Sequence, residues 1–189
     1  MSSDDTQGAM DVASARVQKF IDKFITFPKI IIGFVNGPAI GVGVTTLGLL
    51  DGVYASSSAT FSLPFVRTAQ SPEGCSSFLF PTLMGSLHAK EILLFDRKLT
   101  APEAQQRGLV TRVIDDHIFQ QEKDKICKEI SSLPKGSLLS SKALIQRWNI
   151  HTLKYVNEEE FRNLKRQWVT EEFASAMMQF MESRKKSKL

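Results

Sequence analysis

One acidic residue has sequence neighbours that would suit general acid–base catalysis. Glu73 lies between a proline and a glycine in Ser71-Pro72-Glu73-Gly74-Cys75, just before a segment rich in Ser and Phe. A carboxyl group placed against Phe65, Phe78 and similar side chains would have its charged form disfavoured, which raises its pKa toward that of a useful base. An exposed carboxylate favoured by a helix dipole would explain the same residues. The residues alone leave both interpretations open.

A turn of small residues is the second candidate. Asn36-Gly37-Pro38-Ala39-Ile40-Gly41-Val42-Gly43 follows an apolar run, and free N–H groups at the start of the next helix could face a developing anion. The turn is neither a phosphate loop nor a dinucleotide-binding loop, because no Lys-Ser/Thr pair ends it and Thr46 replaces the third glycine. The spacing alone favours a structural turn with close helix–strand packing.

Other reactive residue types are scattered along the chain. His88, His117 and His151 lack the spacing of metal ligands, so we expect no metal site. Cys75 has no histidine near it in sequence, and we expect a structural thiol. The acidic run 158–160 is followed by basic residues, a pattern typical of a solvated helix face.

The elements that must position these residues follow from hydrophobic periodicity. Apolar side chains recur at helical spacing from near Asp11 until Pro28, and a short apolar run at 30–35 predicts a strand buried on both faces. The turn residues Thr100 and Glu103 form a capping box. The remaining predicted strands are 52–55, 60–62 and 109–114, and the remaining predicted helices are 41–50, 76–84, 86–95, 117–132, 136–148 and 156–181. The pattern is α/β with a helical C-terminal section.

The composition predicts a soluble globular protein of one domain. Of 189 residues, 42% are hydrophobic and 23% charged, and no apolar run is long enough to span a bilayer, so no membrane partner is expected. Two cysteines cannot build a disulfide framework. The net charge is +4, but much of the basic surplus lies in a short tail without interleaved aromatic residues. We therefore expect no nucleic-acid partner.

The chain divides into four predicted parts. Residues 1–10 read as a flexible lead, 11–115 as the α/β core, 116–182 as the C-terminal helical section and 183–189 as a tail. The tail closes with Ser187, Lys188 and Leu189, which match a receptor-read peroxisomal address. This match predicts a peroxisomal import receptor as a partner and the peroxisomal matrix as the location.

Three stretches together resemble the crotonase (enoyl-CoA hydratase/isomerase) superfamily. They are FPKIIIGFVNGPAIGVGVTTLGLLDGVYASSSATFSLPF, QSPEGCSSFLFPTLMG and AKEILLFDRKLTAPEAQQRGLVTRV. More narrowly, QSPEGCSS with a terminal SKL is similar to the peroxisomal Δ3,Δ2-enoyl-CoA isomerases. The resemblance implies a crotonase-like ββα spiral, C-terminal helices that dock subunits into a homotrimer, and an acyl-CoA thioester as ligand. It implies no cofactor apart from the coenzyme A of the substrate.

The resemblance also assigns roles to residues. It implies that Glu73 is the catalytic group, which moves a proton from C2 to C4 of a 3-enoyl-CoA during fatty-acid β-oxidation. The backbone N–H of Val42 would hold the thioester oxygen. The other implied substrate-binding positions are Ala39, Gly41, Gly43, Phe65 and Phe78. Hydratases of the family carry two glutamates at the positions of Thr45 and Phe65, so the resemblance does not favour hydration.

One part of the family pattern has no counterpart in this sequence. The family's fold begins with several strands and a loop that supplies a second oxyanion N–H and part of the CoA contact, so we expect an N-terminally truncated form. This departure motivates two alternatives to an active isomerase. One is a catalytically impaired protein that binds acyl-CoA or packs with partner subunits, and the other is an interaction domain of the chromodomain Y-like kind.

Overall fold

The computed structural model describes residues 3–186, and the predicted address at 187–189 lies outside these residues. Nine α-helices and six short strands are present in this part of the chain, which confirms the predicted α/β class. The strands are β1 (Ile32–Val35), β2 (Pro38–Ile40), β3 (Gly52–Ser56), β4 (Thr60–Ser62), β5 (Leu99–Thr100) and β6 (Arg112–Ile114). The helices are α1 (Ser3–Thr26), α2 (Val42–Thr45), α3 (Ser76–Met84), α4 (Ser86–Leu94), α5 (Ala101–Gln106), α6 (Phe119–Ser131), α7 (Lys135–Arg147), α8 (Ile150–Trp168) and α9 (Glu171–Lys186).

The strands form two small sheets. The first has the order β1-β3-β6 and is parallel throughout, with Ile32 opposite Gly52 and Tyr54 opposite Arg112. The second has the order β2-β4-β5, in which β2 and β4 are parallel and β4 and β5 antiparallel. Since β1 lies at a sheet edge, its four residues are only half-buried, and the expectation of a strand buried on both faces is wrong.

The largest hydrophobic cluster lies between the strands and helices α3 to α5. Its fully buried large side chains include Phe61, Phe80, Ile92 and Leu99, each at 0% exposure. Burial of one such side chain contributes about 1.5–3 kcal/mol to folding. This cluster fixes β4 and α3, the two elements between which the loop carrying Glu73 runs.

A second cluster forms where α1 packs against α8. Ile21 and Ile25 of α1 meet Phe161 and Leu164 of α8, and Cys75 from the loop before α3 completes the contact. A buried amide adds specificity, because Asn157 donates hydrogen bonds to the Gln18 carbonyl and the Asp22 carboxylate of α1. The C-terminal helical section therefore lies against the segment that holds Glu73.

Several helix boundaries differ from those predicted; among them, α2 ends at Thr45 and α8 begins at Ile150. α1 begins at Ser3, well before Asp11. The helix expected over 156–181 is instead two helices, because Thr170 interrupts it: its hydroxyl accepts a hydrogen bond from the Phe173 N–H and starts α9. α9 then continues to Lys186, into the predicted tail.

A short strand inside the glycine-rich turn was not predicted. Pro38–Ile40 pairs with Thr60–Ser62, and the Gly41 N–H donates to the Ser62 carbonyl at 3.0 Å. Three residues are too few for a readable period, so only the pairing partner reveals the strand. This pairing fixes the direction in which the chain enters α2.

Candidate active site

The loop that carries Glu73 reverses sharply at the two following residues. Gly74 has φ 69° and Cys75 has φ 60°, so two consecutive residues adopt the left-handed conformation before α3 starts at Ser76. The turn is closed by the Ser76 hydroxyl, which donates to the Glu73 carbonyl at 2.6 Å. The loop is thus a defined turn, in which the Glu73 side chain has a fixed direction.

Helix α8 anchors the same loop near its start. The Ser71 N–H donates to the Gln167 side-chain oxygen at 2.7 Å, and the indole N–H of Trp168 donates to the Gln70 side-chain oxygen at 2.9 Å. Gln70 in turn donates to the Thr68 hydroxyl at 2.9 Å. Side chains on one helix end therefore hold the backbone that leads into Glu73.

Glu73 has a buried carboxyl group in which one oxygen accepts a hydrogen bond and the other does not. The residue is 8% exposed, and its Oε1 accepts a hydrogen bond from the Thr45 hydroxyl at 2.7 Å. Its Oε2 is buried and has no hydrogen-bond partner among residues 3–186. Burial raises the pKa of Glu73 to about 7, while the Thr45 hydroxyl acts to lower it and the Glu160 carboxylate to raise it. The interpretation as an exposed helix-end carboxylate is therefore excluded.

The glycine-rich turn places α2 beside Glu73. Gly41 has φ 59°, a conformation that side-chain-bearing residues rarely adopt, and Val42 is the first residue of α2. The first N–H groups of a helix have no partner within it, so the N–H of Val42 is available to an acceptor. Thr45, at the other end of α2, supplies the hydroxyl that binds Glu73.

One cavity of about 310 Å³ joins these groups. It is lined by Val17, Gly41, Val42, Pro64, Phe65, Thr68, Gln70, Glu73, Phe161, Leu164, Trp168, Met177 and Phe180. Glu73 is the only carboxylate of this lining, and most of the other lining groups are apolar side chains. A mostly apolar pocket with a few converging polar groups is the usual form of a small-molecule site.

The structure brings some of the predicted site residues together and not others. Glu73, Val42, Gly41 and Phe65 line this cavity. The positions Ala39 and Gly43 line a neighbouring cavity beside β1, and Phe78, on α3 and 37% exposed, is absent from the lining of either cavity. The thiol of Cys75 is fully buried and donates to the Leu153 carbonyl, and burial raises its pKa well above the usual range. Such a thiol is unreactive, as the sequence predicts.

Glu160 is the residue that the sequence interpretation misplaces. It was expected on a solvated helix face, but it is 7% exposed and accepts hydrogen bonds from Cys75 in the loop and from Ser77 at the start of α3. The acidic run obscures a usable signal: residues 157, 160, 161 and 164 recur at the spacing of one helix face, and all four are buried. Glu160 thus belongs to the buried stripe of α8.

Two further features concern possible ligands and membranes. Within residues 3–186, no group of three or more His, Cys, Asp and Glu side chains is placed to hold a metal ion. None of the described helices is both long enough and apolar enough to cross a bilayer.

Comparison with known proteins places these features in a family context. Residues 3–188 match the family model of enoyl-CoA hydratase/isomerase. The chain is 46% identical over 178 residues to enoyl-CoA delta isomerase 2 of Rattus norvegicus, covering 92% of this chain and 46% of that protein. It is 40% identical over 183 residues to enoyl-CoA delta isomerase 3, peroxisomal, of Mus musculus, covering 97% of this chain and 58% of that protein. The chain thus spans about half the length of these curated relatives.

A solved structure shares the fold. The enoyl-CoA hydratase/isomerase from Pseudoalteromonas atlantica T6c superposes with a TM-score of 0.83 at 37% sequence identity. The match covers 87% of this chain and 66% of that one.

Proposed function

The chain belongs to the enoyl-CoA hydratase/isomerase family, and on that premise we propose that it isomerises a 3-enoyl-CoA to the 2-trans-enoyl-CoA. The fold is accordingly that of the crotonases, as the resemblance implied. The observation that carries the proposal is the buried Glu73 carboxyl group, held by Thr45 on one oxygen and lining the cavity. Reactions of this kind serve the β-oxidation of unsaturated fatty acids, and we propose that role.

The proposed chemistry moves one proton. The C2 hydrogen of a 3-enoyl thioester is acidic because the resulting dienolate spreads its charge onto the thioester oxygen. Glu73 removes this proton, the double bond shifts toward C2, and the protonated Glu73 returns the proton at C4. Since Thr45 occupies Oε1, we assign the transfer to Oε2. Protons and electrons balance in this sequence without a cofactor other than the coenzyme A of the substrate.

The negative charge that develops on the thioester oxygen needs a hydrogen-bond donor. We propose that the N–H of Val42, at the start of α2 and in the wall of the cavity, holds the thioester oxygen. Such donors stabilise charge that exists only around the transition state, and removal of one typically lowers the rate by about 10²–10³-fold. The apolar wall formed by Phe65, Phe161 and Leu164 would keep water away from the reacting carbons.

Isomerisation is favoured over hydration by the other residues of the site. Hydration requires acid–base groups that activate a water molecule, but Thr45 bonds Glu73 and Phe65 is an apolar wall residue. One base on one face of the substrate is sufficient for a proton shift. It is insufficient for the two-glutamate water chemistry of the family's hydratases.

The identity of the product tests this proposal. We expect the purified chain to convert 3-enoyl-CoA into a conjugated product of unchanged mass, separable by chromatography from the substrate. A product heavier by one water would contradict isomerisation and indicate a hydratase. Acyl-CoA binding without turnover would support the catalytically impaired alternative, and neither binding nor turnover would support the interaction-domain alternative.

The Thr45 hydroxyl is expected to tune the proton affinity of Glu73. Thr45→Val removes the donor that favours the charged carboxylate, so the pKa of Glu73 should rise above about 7. Because the base must be deprotonated to act, the acid limb of kcat/KM should move to higher pH by about one unit. At neutral pH the rate should fall several-fold, with recovery at higher pH.

Thr46→Val is the matched control for this prediction. The Thr46 hydroxyl donates to the Val42 carbonyl at 2.7 Å and not to Glu73, so the midpoint of its pH–rate profile should equal that of the wild type. Equal midpoints in all three proteins would contradict the assignment of Thr45.

We propose the peroxisomal matrix as the location. One relative is named peroxisomal, and residues 187–189 are of the type that the peroxisomal import receptor reads. A fluorescent protein fused at the N-terminus should colocalise with a peroxisomal marker, and deletion of 187–189 should abolish this. A nuclear signal would instead support the chromodomain Y-like alternative.

We also propose self-association into a homotrimer through the C-terminal helices. Several large apolar side chains there are solvent-exposed in the single chain, among them Ile145 at 70%, Trp148 at 75% and Met178 at 63%. Association of subunits would bury these apolar side chains, which is why we place the subunit contacts on these helices.

A further inference from the structure

The carboxylate of Glu160 lies where α8 meets the loop after Glu73. Its Oε2 accepts a hydrogen bond from the Cys75 N–H at 2.7 Å. Its Oε1 accepts from both the N–H and the hydroxyl of Ser77, at 2.9 and 2.5 Å. One carboxylate thus accepts three hydrogen bonds, from the second and the fourth residue after Glu73. These residues precede Glu160 by 85 and 83 positions in the sequence.

These hydrogen bonds stabilise a backbone that would otherwise be strained. Cys75 is a non-glycine residue in the left-handed region, a conformation that is unfavourable for residues with a Cβ atom. Its N–H is hydrogen-bonded in a buried position, and a buried donor that loses its acceptor destabilises the folded state. Without Glu160 the turn through Gly74 and Cys75 would lose its main side-chain anchor, and the direction of Glu73 depends on that turn.

The same carboxylate acts on Glu73 through space. Its charge disfavours ionisation of Glu73, while its own pKa is raised by burial, an effect that its three donors oppose.

The other groups around Glu73 in the described part of the chain carry no charge. They are Val17 of α1, Val42 and Thr45 of α2, Phe65, Thr68 and Gln70 of the segment after β4, Phe161, Leu164 and Trp168 of α8, and Met177 and Phe180 of α9. The titratable neighbours are Glu160 and Cys75, with Asp22 of α1 acting on Cys75.

We propose that Glu160 is a positioning residue for the isomerase reaction. Its carboxylate holds residues 75–77 so that Glu73 is directed into the cavity. This inference rests on the proposed function for its catalytic meaning. The hydrogen bonds and the charge interaction are properties of the structure itself, so they can be measured without any turnover.

Two variants separate the geometric from the electrostatic part. Glu160→Gln removes the charge and replaces one acceptor oxygen by a donor, so kcat should fall by about tenfold and the Glu73 titration should move to lower pH by about half a unit. Glu160→Asp keeps the charge but withdraws the oxygens by one methylene. It should lower kcat while leaving the Glu73 midpoint near that of the wild type. Glu159→Gln, a partly exposed neighbour paired with Arg162, should change neither quantity.

Two quantities should be measured. NMR of the side-chain carboxyl carbon follows the titration of Glu73, with Glu73→Gln used to assign the signal. The kcat is measured with 3-enoyl-CoA as substrate. A lower midpoint in Glu160→Gln but not in Glu159→Gln supports the inference. Unchanged midpoint and kcat in folded Glu160→Gln would overturn it. Should that variant not fold, wild-type kcat in Glu160→Asp would overturn it equally. An inactive wild-type chain that still shows the midpoint shift would overturn the proposed function alone.

Discussion

Glu73→Gln is expected to lower the kcat of double-bond migration by about 10²–10⁴-fold, the usual contribution of a positioned general base. The amide keeps the size of the side chain and can still accept the hydrogen bond from Thr45, but it cannot take the C2 proton. Rates with wild-type and variant protein on the same 3-enoyl-CoA measure the effect. KM should change little, because Glu73 acts on the proton and not on the bulk of the ligand.

The same variant should not be less stable than the wild type above neutral pH. The pKa of Glu73 is raised from 4.5 to about 7 by burial, so the folded state binds a proton more tightly than the unfolded state. The stability that this protonation contributes is fully present below pH 4.5 and is lost as the pH rises through 7. Gln carries no charge, so denaturation at pH 8 should show an equal or higher free energy of unfolding. A variant that unfolds more easily at pH 8 would indicate a structural role for the carboxylate.

Gly74→Ala is expected to destabilise the fold by about 3 kcal/mol. The backbone at Gly74 has φ 69°, and an added Cβ would lie 2.5 Å from Thr45 Oγ1 and 2.8 Å from Thr45 Cβ. Both atoms belong to a short β-branched side chain that cannot swing away. The clash would also push Thr45 from Glu73, so activity should fall beyond the loss of folded protein. Urea denaturation and kcat of the folded fraction measure the two effects.

Gly136→Ala provides the matched control. Gly136 lies in α7, and an added Cβ there meets no atom within 4 Å. Alanine is the better helix former, so this variant should be at least as stable as the wild type and keep full activity. Similar losses of stability in both glycine variants would mean that a clash with Thr45 is not the cause of the destabilisation in Gly74→Ala.

The local elements could be predicted because they depend on local residues. The strand at 60–62, the helix at 76–84 and the capping box of Thr100 and Glu103 occur as the pattern predicts. The boundary at Thr170 was missed although its N-cap is a local signal, and the strand Pro38–Ile40 could not be placed because it depends on a distant pairing partner. Periodicity carries no information about such partners.

The site could be predicted only in part for the same reason. Glu73 and the start of α2 stand out by residue type, and the resemblance supplies their proposed roles. The hydrogen bond from Thr45 to Glu73 joins residues 28 positions apart, and those that Glu160 accepts from Cys75 and Ser77 join residues 85 and 83 positions apart. The contacts of Glu160 arise from the packing of α8 against α3, which no local pattern shows.

The most direct test of the account is the initial rate at which the purified 189-residue chain forms 2-trans-enoyl-CoA from 3-enoyl-CoA, measured at pH 8 beside Glu73→Gln. Above the raised pKa of Glu73 the base is deprotonated in most molecules. The account predicts turnover by the wild-type chain and a rate at least about 10²-fold lower in the variant. Equal rates in the two folded proteins, whether high or absent, would contradict the assignment of Glu73 as the group that moves the proton.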